Sequence, residues 1–237
     1  VEYVCLDGDM VGSGGGSNPA YDVSILLDEV HEVFPDLPAS QMSVIWGSHD
    51  AGYTDSQNLG IMKTGSEQIY VGKNSDGSVA YYIYSVSYDD MGTANTASAA
   101  TFKTWVSAID PAIPIIVVSH RPIQYFRKDN QGAQAWTEAL NYAATGDEFS
   151  GVDTSHTIVR DVILFGAHNH SQDGATEYFY PAKGTDGTTN KTTLAVQGSS
   201  GSVNETLYFT YIIAGYLMNN QCATLVGIND NRITLQK

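Results

Sequence analysis

The sequence predicts a layered α/β or α+β fold in one domain. Strand-like and helix-like segments alternate up to about residue 166, and only strand-like segments follow. The central strand-like runs are continuously apolar, which is typical of strands covered on both faces. With 42% hydrophobic residues, the 237-residue chain is long and apolar enough to bury a sizeable core. We therefore expect residues 1–237 to form a single domain, N-terminally truncated because the chain starts within a strand.

The N-terminal part predicts two buried strands separated by a helix. Val1–Leu6 is a β-branched and apolar run, and it ends at polar residues. Pro19–Phe34 carries apolar residues at spacings of three and four, which indicates one face of an amphipathic helix. Met42–Trp46 is the second buried strand, and we expect a loop over Ala51–Glu67 after it.

The patterns of apolar residues also predict the remaining strands and helices. The middle of the chain predicts strands at Gln68–Gly72, Val79–Val86, Pro114–Ser119 and Val162–Phe165, and helices at Ala97–Ile109 and Gln134–Ala144. The C-terminal part predicts only strands, at Thr176–Tyr180, Thr192–Gln197, Thr206–Ile213, Cys222–Val226 and Ile233–Gln236.

The charge of the chain disfavours polyanionic partners. With 26 acidic and 11 basic residues, the formal net charge is −15. Nucleic acids and anionic lipids require a basic surface, so we expect neither as a partner. The acidity alternatively serves only solubility. No apolar run approaches the roughly 20 residues that a membrane helix needs, so we expect no membrane span.

Composition and cysteine positions bear on the compartment. The abundance of Ser, Thr, Asn, Gly and Tyr resembles that of secreted bacterial proteins. We therefore expect a secreted or cell-surface protein, with a cytoplasmic one as the alternative. Cys5 and Cys222 lie in apolar strand-like stretches, where buried free thiols are expected and a disulfide is the alternative.

Chemically active side chains directly follow four of the predicted strands. Asp9, His49 and His120 each follow one strand, and His168 and His170 together follow another. Loops at the carboxyl ends of strands in an α/β sheet converge on one crevice. Because imidazole and carboxylate are the ligands that divalent transition metals prefer, this pattern predicts a metal site.

In chain order these segments resemble the motifs of the calcineurin-like metallophosphoesterases of bacterial type. The similar segments, from the second motif to the fifth, are Gly8-Asp9-Met10-Val11-Gly12, Gly47-Ser48-His49-Asp50, His120 within Val118-Ser119-His120-Arg121-Pro122, and His168-Asn169-His170. The resemblance spans essentially the whole chain. It implies a four-layered αββα sandwich of two mixed sheets, with helices on the outer faces.

The resemblance also implies a centre of two divalent metals, which are Mn, Fe or Zn in this family. In that centre Asp9 would bridge the two ions. His120 and His168 would ligate one ion, and His170 would ligate the other. Ser48 would take the place of the family's usual asparagine ligand.

The activity implied is hydrolysis of phosphate mono- or diesters by a metal-activated water. The partner would be a small phosphoester substrate. His49 would be the catalytic residue beside the scissile phosphate, where it stabilises or protonates the leaving oxygen. Two cations also neutralise the phosphate and stabilise the charge that develops during displacement.

Three departures from the family pattern leave alternatives open. Only eight residues precede Asp9, so the upstream Asp-x-His motif is absent, and one metal keeps Asp9 and His170 with Asp7 as a nearby carboxylate. Ser48 is a weaker donor than asparagine, and Ala167 replaces a glycine. The chain is therefore either a truncated enzyme or a catalytically degenerate domain. Under either alternative, the chain as given is expected to bind one metal, to bind none, or to bind metal weakly.

Two rival functions remain open beside the phosphoesterase. A degenerate domain would act as a binding module at the cell surface or envelope. An unrelated mononuclear zinc hydrolase would instead use His120, His168 and His170 as its ligands.

Overall fold

The computed structural model describes residues 1–9, 19–45, 47, 61–62, 67–87, 96–124, 132–168, 179–182, 193–213, 225–229 and 232–236. In this part of the chain the structure is mixed α/β, with a six-stranded mixed sheet and three α-helices. The helices are α1 (Pro19–Val33), α2 (Thr96–Ser107) and α3 (Ala133–Thr145). The strands are β1 (Val4–Asp7), β2 (Met42–Ile45), β3 (Ile61–Met62), β4 (Glu67–Lys73), β5 (Val79–Val86), β6 (Ile115–Ser119), β7 (Val162–Gly166), β8 (Phe179–Tyr180), β9 (Thr193–Gly198), β10 (Gly201–Thr206), β11 (Thr210–Ile213), β12 (Leu225–Asn229) and β13 (Arg232–Gln236).

The large sheet has the strand order β4-β5-β6-β7-β11-β8. Strands β5, β6, β7 and β11 are parallel to one another, and β4 and β8 pair antiparallel at the two edges. Strands β1, β2 and β3 form a separate parallel sheet. Because β6 and β7 pair with Ser119 opposite Gly166, the loops after these two strands start side by side.

The two central strands β6 and β7 are buried along their whole length, which confirms the prediction from their continuous apolar runs. One face of the large sheet packs against α2 and α3 through fully buried Phe102, Trp136 and Leu140. The opposite face meets the small sheet through Ile45 and Cys5. The strand ends that carry the polar residues are therefore fixed by packing on two sides.

Two predictions about the strands were wrong. Thr206–Ile213 was predicted as one strand, but β10 ends at Thr206 beside β9 and β11 begins at Thr210 beside β7. The intervening Leu207, Tyr208 and Phe209 are buried and apolar, so the pattern continues while the chain passes from one sheet to the other. The predicted loop Ala51–Glu67 contains β3, which pairs parallel with β2.

Two smaller predictions concern cysteines and membrane spans. Cys5 is half-buried in β1, and its sulfur accepts a hydrogen bond of 2.9 Å from Ser43 Oγ. Cys222 lies outside the described residues. In the part of the chain that the structure describes, no helix combines the length and apolar character needed to cross a membrane.

Candidate metal centre

Three of the predicted ligands come together at the carboxyl ends of three strands. Asp9 follows β1, His120 follows β6 and His168 follows β7. Asp9 Oδ2 lies 3.0 Å from His120 Nε2 and 3.6 Å from His168 Nδ1, and the two ring nitrogens are 3.1 Å apart. The exposed fractions of the His120 and His168 residues are 1% and 7%, so the group is shielded from bulk solvent.

Backbone conformation at the centre is unusual at two of the three residues. Asp9 and His168, with φ of 50° and 58°, are the non-glycine residues of the described chain that have a positive φ. Such conformations cost on the order of 1–3 kcal/mol each and persist where the surrounding structure fixes them. Aspartate and histidine tolerate this region better than β-branched residues do. Backbone strain therefore coincides with the candidate ligands, as it often does at functional sites.

Two glycines allow the loops to approach this closely. A Cβ on Gly8 would lie 2.4 Å from Nδ1 of His120, and Gly8 itself has a φ of 76°. A Cβ on Gly47 would lie 2.1 Å from the backbone nitrogen of Asp9 and 2.5 Å from its Oδ1. Neither position has room for a side chain, so both glycines are required by the geometry of the centre.

Backbone and side-chain hydrogen bonds hold the His120 loop. The Asp7 carbonyl lies 2.6 Å from Nδ1 of His120, and the amide of Ala167 donates to the His120 carbonyl over 3.2 Å. Further along the loop, the Tyr211 hydroxyl accepts a hydrogen bond of 3.2 Å from the amide of Ile123 and contacts Gln124 Oε1. The loop after β6 is thus tied to β1, to the residue before His168 and to β11.

These contacts determine the proton positions on His120. A carbonyl oxygen only accepts, so Nδ1 of His120 donates to Asp7, and Nε2 of the neutral ring carries a lone pair. That lone pair would face the carboxylate oxygen of Asp9 and would be repelled unless a proton or a metal cation lies between them. Burial alone would lower the pKa of His120, but the hydrogen bond to Asp9 and the charges of Asp7 and Asp9 raise it above its ordinary value.

The donor atoms fit a single divalent ion. Ligand atoms about 2.1 Å from one ion lie roughly 3.0–3.4 Å apart in octahedral or tetrahedral geometry. The separations of 3.0, 3.1 and 3.6 Å among Asp9 Oδ2, His120 Nε2 and His168 Nδ1 bracket that range. The buried Asp9/His120/His168 group could therefore hold one metal ion.

The other predicted site residues lie outside the described residues. These are the catalytic candidate His49 and the ligand candidates Ser48 and His170. Sequence analysis named Asp7 as a nearby carboxylate and Gly47 as part of a motif, but it predicted neither the contact of the Asp7 carbonyl with His120 nor the close approach of Gly47 to Asp9. The Asp7 carbonyl binds His120, and its position two residues before Asp9 at a strand end was the available signal.

Comparison with known proteins gives no family for this chain. Neither a scan against models of known protein families nor a search of curated proteins found a match.

Proposed function

We propose that the chain is a metal-dependent hydrolase of small phosphate mono- or diesters. The observation that carries the proposal is the convergence of Asp9 Oδ2, His120 Nε2 and His168 Nδ1, with separations that suit one divalent ion. The order of the motifs that supply these residues supports phosphoester chemistry. The net charge of −15 favours a small substrate over a polyanionic one, because a polyanion would be repelled.

Each residue of the group contributes a distinct property. A divalent ion held here would act as a Lewis acid on a phosphoryl oxygen and would lower the pKa of the attacking water. Asp9 contributes the negative charge of the group. The Asp7 carbonyl fixes the tautomer of His120, and the β6–β7 pairing sets the distance between His120 and His168.

The remaining parts of the proposal come from the motif resemblance. His49 would stabilise or protonate the leaving oxygen, and Ser48 and His170 would complete a centre of two metals. The four-layered αββα sandwich is the architecture that the same resemblance implies. A secreted or cell-surface location fits the composition of the chain.

Activity on two generic substrates tests the proposal. The metal-stripped chain is loaded with Mn²⁺ or Zn²⁺ and assayed with p-nitrophenyl phosphate and bis(p-nitrophenyl) phosphate. We expect metal-dependent turnover that falls on the order of 100-fold in Asp9→Asn. His31→Gln, in the last turn of α1, is the matched control and keeps the activity.

Other outcomes favour the rival functions. A folded chain that binds the ion yet hydrolyses neither substrate contradicts the enzyme and supports a surface or envelope binding module. One tightly held zinc per chain with peptide or amide cleavage, and no phosphoester cleavage, supports the mononuclear zinc hydrolase. Equal turnover in Asp9→Asn and the unmodified chain removes the proposed centre from the reaction.

A further inference from the structure

Strand β4 forms one edge of the large sheet, and β5 is its strand partner in the described part of the chain. Its burial alternates, since Glu67, Ile69, Val71 and Lys73 are exposed and the residues between them are buried or half-buried. Ile69 and Val71 are each 36% exposed. The outer edge of such a strand presents backbone N–H and C=O groups that can pair with another strand. The β4 edge is therefore suited to bind an extended segment.

Contacts on the opposite face hold β4 in place. The Tyr70 hydroxyl donates to Glu2 Oε1 over 2.9 Å, and Nε2 of Gln68 donates to the Met42 carbonyl over 3.0 Å. The register with β5 shifts between Gly72 and Lys73, and the extra residue lies in β5, so the alternation of β4 continues to its end. The exposed face of β4 is thus preformed.

The exposed face of β4 is complementary to itself. Its four residues run from acidic through two apolar side chains to basic. In an antiparallel pair of two β4 strands with a twofold axis at Tyr70, Glu67 lies opposite Lys73 of the second copy, and Ile69 lies opposite Val71. Opposite charges and β-branched pairs at such positions stabilise a sheet. A shift of two residues in either direction places a charged side chain opposite an apolar one, so one register satisfies all four residues.

The charges of the chain permit this contact. Glu67 uses Oε2 to contact the Tyr84 hydroxyl, which leaves Oε1 for a lysine of the second copy. The net charge of −15 makes two copies repel each other at long range. At about 0.15 M ionic strength that repulsion is screened beyond roughly 8 Å, whereas the pairs at the edge are in contact.

We propose that two copies of this chain associate through β4 and join their six-stranded sheets into one continuous sheet. Addition of a strand to an exposed sheet edge is a common mode of protein association. A twofold contact uses the same surface on both copies and closes at two chains. The proposal is independent of the proposed function, because Glu67–Lys73 contains none of the candidate metal ligands.

Sedimentation equilibrium of the full chain at about 0.15 M salt tests the proposal. We expect the weight-average mass to rise from 25.5 kDa toward twice that value between about 1 and 200 μM protein. Lys73→Glu places like charges opposite each other at both ends of the contact, so the dissociation constant should rise at least about 10-fold. Lys103→Glu, on α2 beside Glu148, changes the net charge by the same amount and is the control with unchanged association.

A charge exchange tests the register. Glu67→Lys combined with Lys73→Glu restores opposite charges at both ends and should recover the affinity that Lys73→Glu loses. Thermal unfolding checks that each variant is folded, and no recovery in a folded exchange variant would contradict the register. Equal dissociation constants in Lys73→Glu and Lys103→Glu, or assembly beyond two chains, would overturn the proposal. A chain that stays monomeric at about 200 μM also overturns it, and a strand from a different protein becomes the alternative occupant.

Discussion

Nε2 of His120 lies 3.1 Å from Nδ1 of His168, and the two ring planes are inclined at 67°. The residues are separated by 48 positions in the chain, and the parallel pairing of β6 with β7 brings them together. Both nitrogens also approach the same oxygen of Asp9. The geometry of the centre therefore depends on the register of the large sheet and on its contact with β1.

Replacement of Gly8 by alanine is expected to abolish metal binding. The new Cβ would lie 2.4 Å from His120 Nδ1 and would displace the ring. Gly77→Ala is the matched control, because Gly77 has a similar φ of 86° but nothing within 4 Å of the added carbon. Both variants share a strain of about 1 kcal/mol, so any larger loss in Gly8→Ala reports the clash. Calorimetric metal titration and urea unfolding check this; equal behaviour of the two variants would argue against the steric role.

The Tyr211 hydroxyl is expected to support metal affinity from outside the ligand set. Tyr211→Phe leaves the buried amide of Ile123 without its acceptor, which costs about 1–3 kcal/mol and loosens the loop that carries His120. Metal affinity should then fall by about 10-fold or more. In the control Tyr208→Phe, the lost hydroxyl binds the backbone of His156 and Asp153, away from the centre. That variant should lose comparable stability and keep its affinity; a similar affinity loss in both would contradict the argument.

Continuous apolar runs in the sequence predicted two of the strands that carry the centre, β6 and β7. The apolar runs of β6 and β7 end at His120 and just before His168, and continuous apolar runs of this length are typical of strands buried on both faces. The passage from β10 to β11 escaped prediction because Leu207–Phe209 are as apolar as the strands they join. No local pattern distinguishes a strand that changes sheets from one that continues.

The finer features of the centre depend on distant contacts. The exclusion of a side chain at Gly47 arises from the approach of Asp9, which is far away in sequence. The buried carboxylate of Asp7 is defined by the packing of β1 against the large sheet. Spacing in the sequence indicated which residue types gather here but not which neighbours lose contact with solvent.

The buried side chain of Asn141 is expected to stabilise the segment Leu207–Phe209, which connects β10 to β11. Nδ2 of Asn141 donates to the Thr206 carbonyl over 2.8 Å, and its Oδ1 accepts from the Tyr208 amide over 2.9 Å. Asn141→Leu would remove one hydrogen bond from each of these two buried backbone groups, and urea unfolding should show a cost of about 2–5 kcal/mol. Thr137→Val is the control on the same helix, because Thr137 donates one hydrogen bond to the Ala133 carbonyl within the described part of the chain, and the loss of that bond should cost about 1 kcal/mol. Equal losses in the free energy of unfolding of the two variants would show that Asn141 stabilises the fold no more than Thr137 does.

Glu205 is expected to make stability fall as pH rises. The residue is fully buried, and burial raises its pKa from 4.5 to about 7, although the amide of Gly151 donates to it. Between about pH 4.5 and 7, the folded state therefore keeps a proton on Glu205 that the unfolded state has already released. The protonated form therefore contributes stability on the order of 3 kcal/mol, which is fully present below this pH window and lost above it. Glu205→Gln removes this term, so its stability relative to the unmodified chain should rise between pH 5 and 8 in urea unfolding. If the free energies of unfolding of Glu205→Gln and the unmodified chain change with pH in parallel, Glu205 does not cause the pH dependence.

The central claim is that Asp9, His120 and His168 hold a divalent ion, and anomalous diffraction tests it most directly. Crystals of the chain grown with Zn²⁺ or Mn²⁺ are measured at the absorption edge of the metal. We predict an anomalous peak about 2.0–2.3 Å from Asp9 Oδ2, His120 Nε2 and His168 Nδ1, and no such peak in Asp9→Asn. A well-ordered loop region with no peak among these atoms, at saturating metal, would contradict the account.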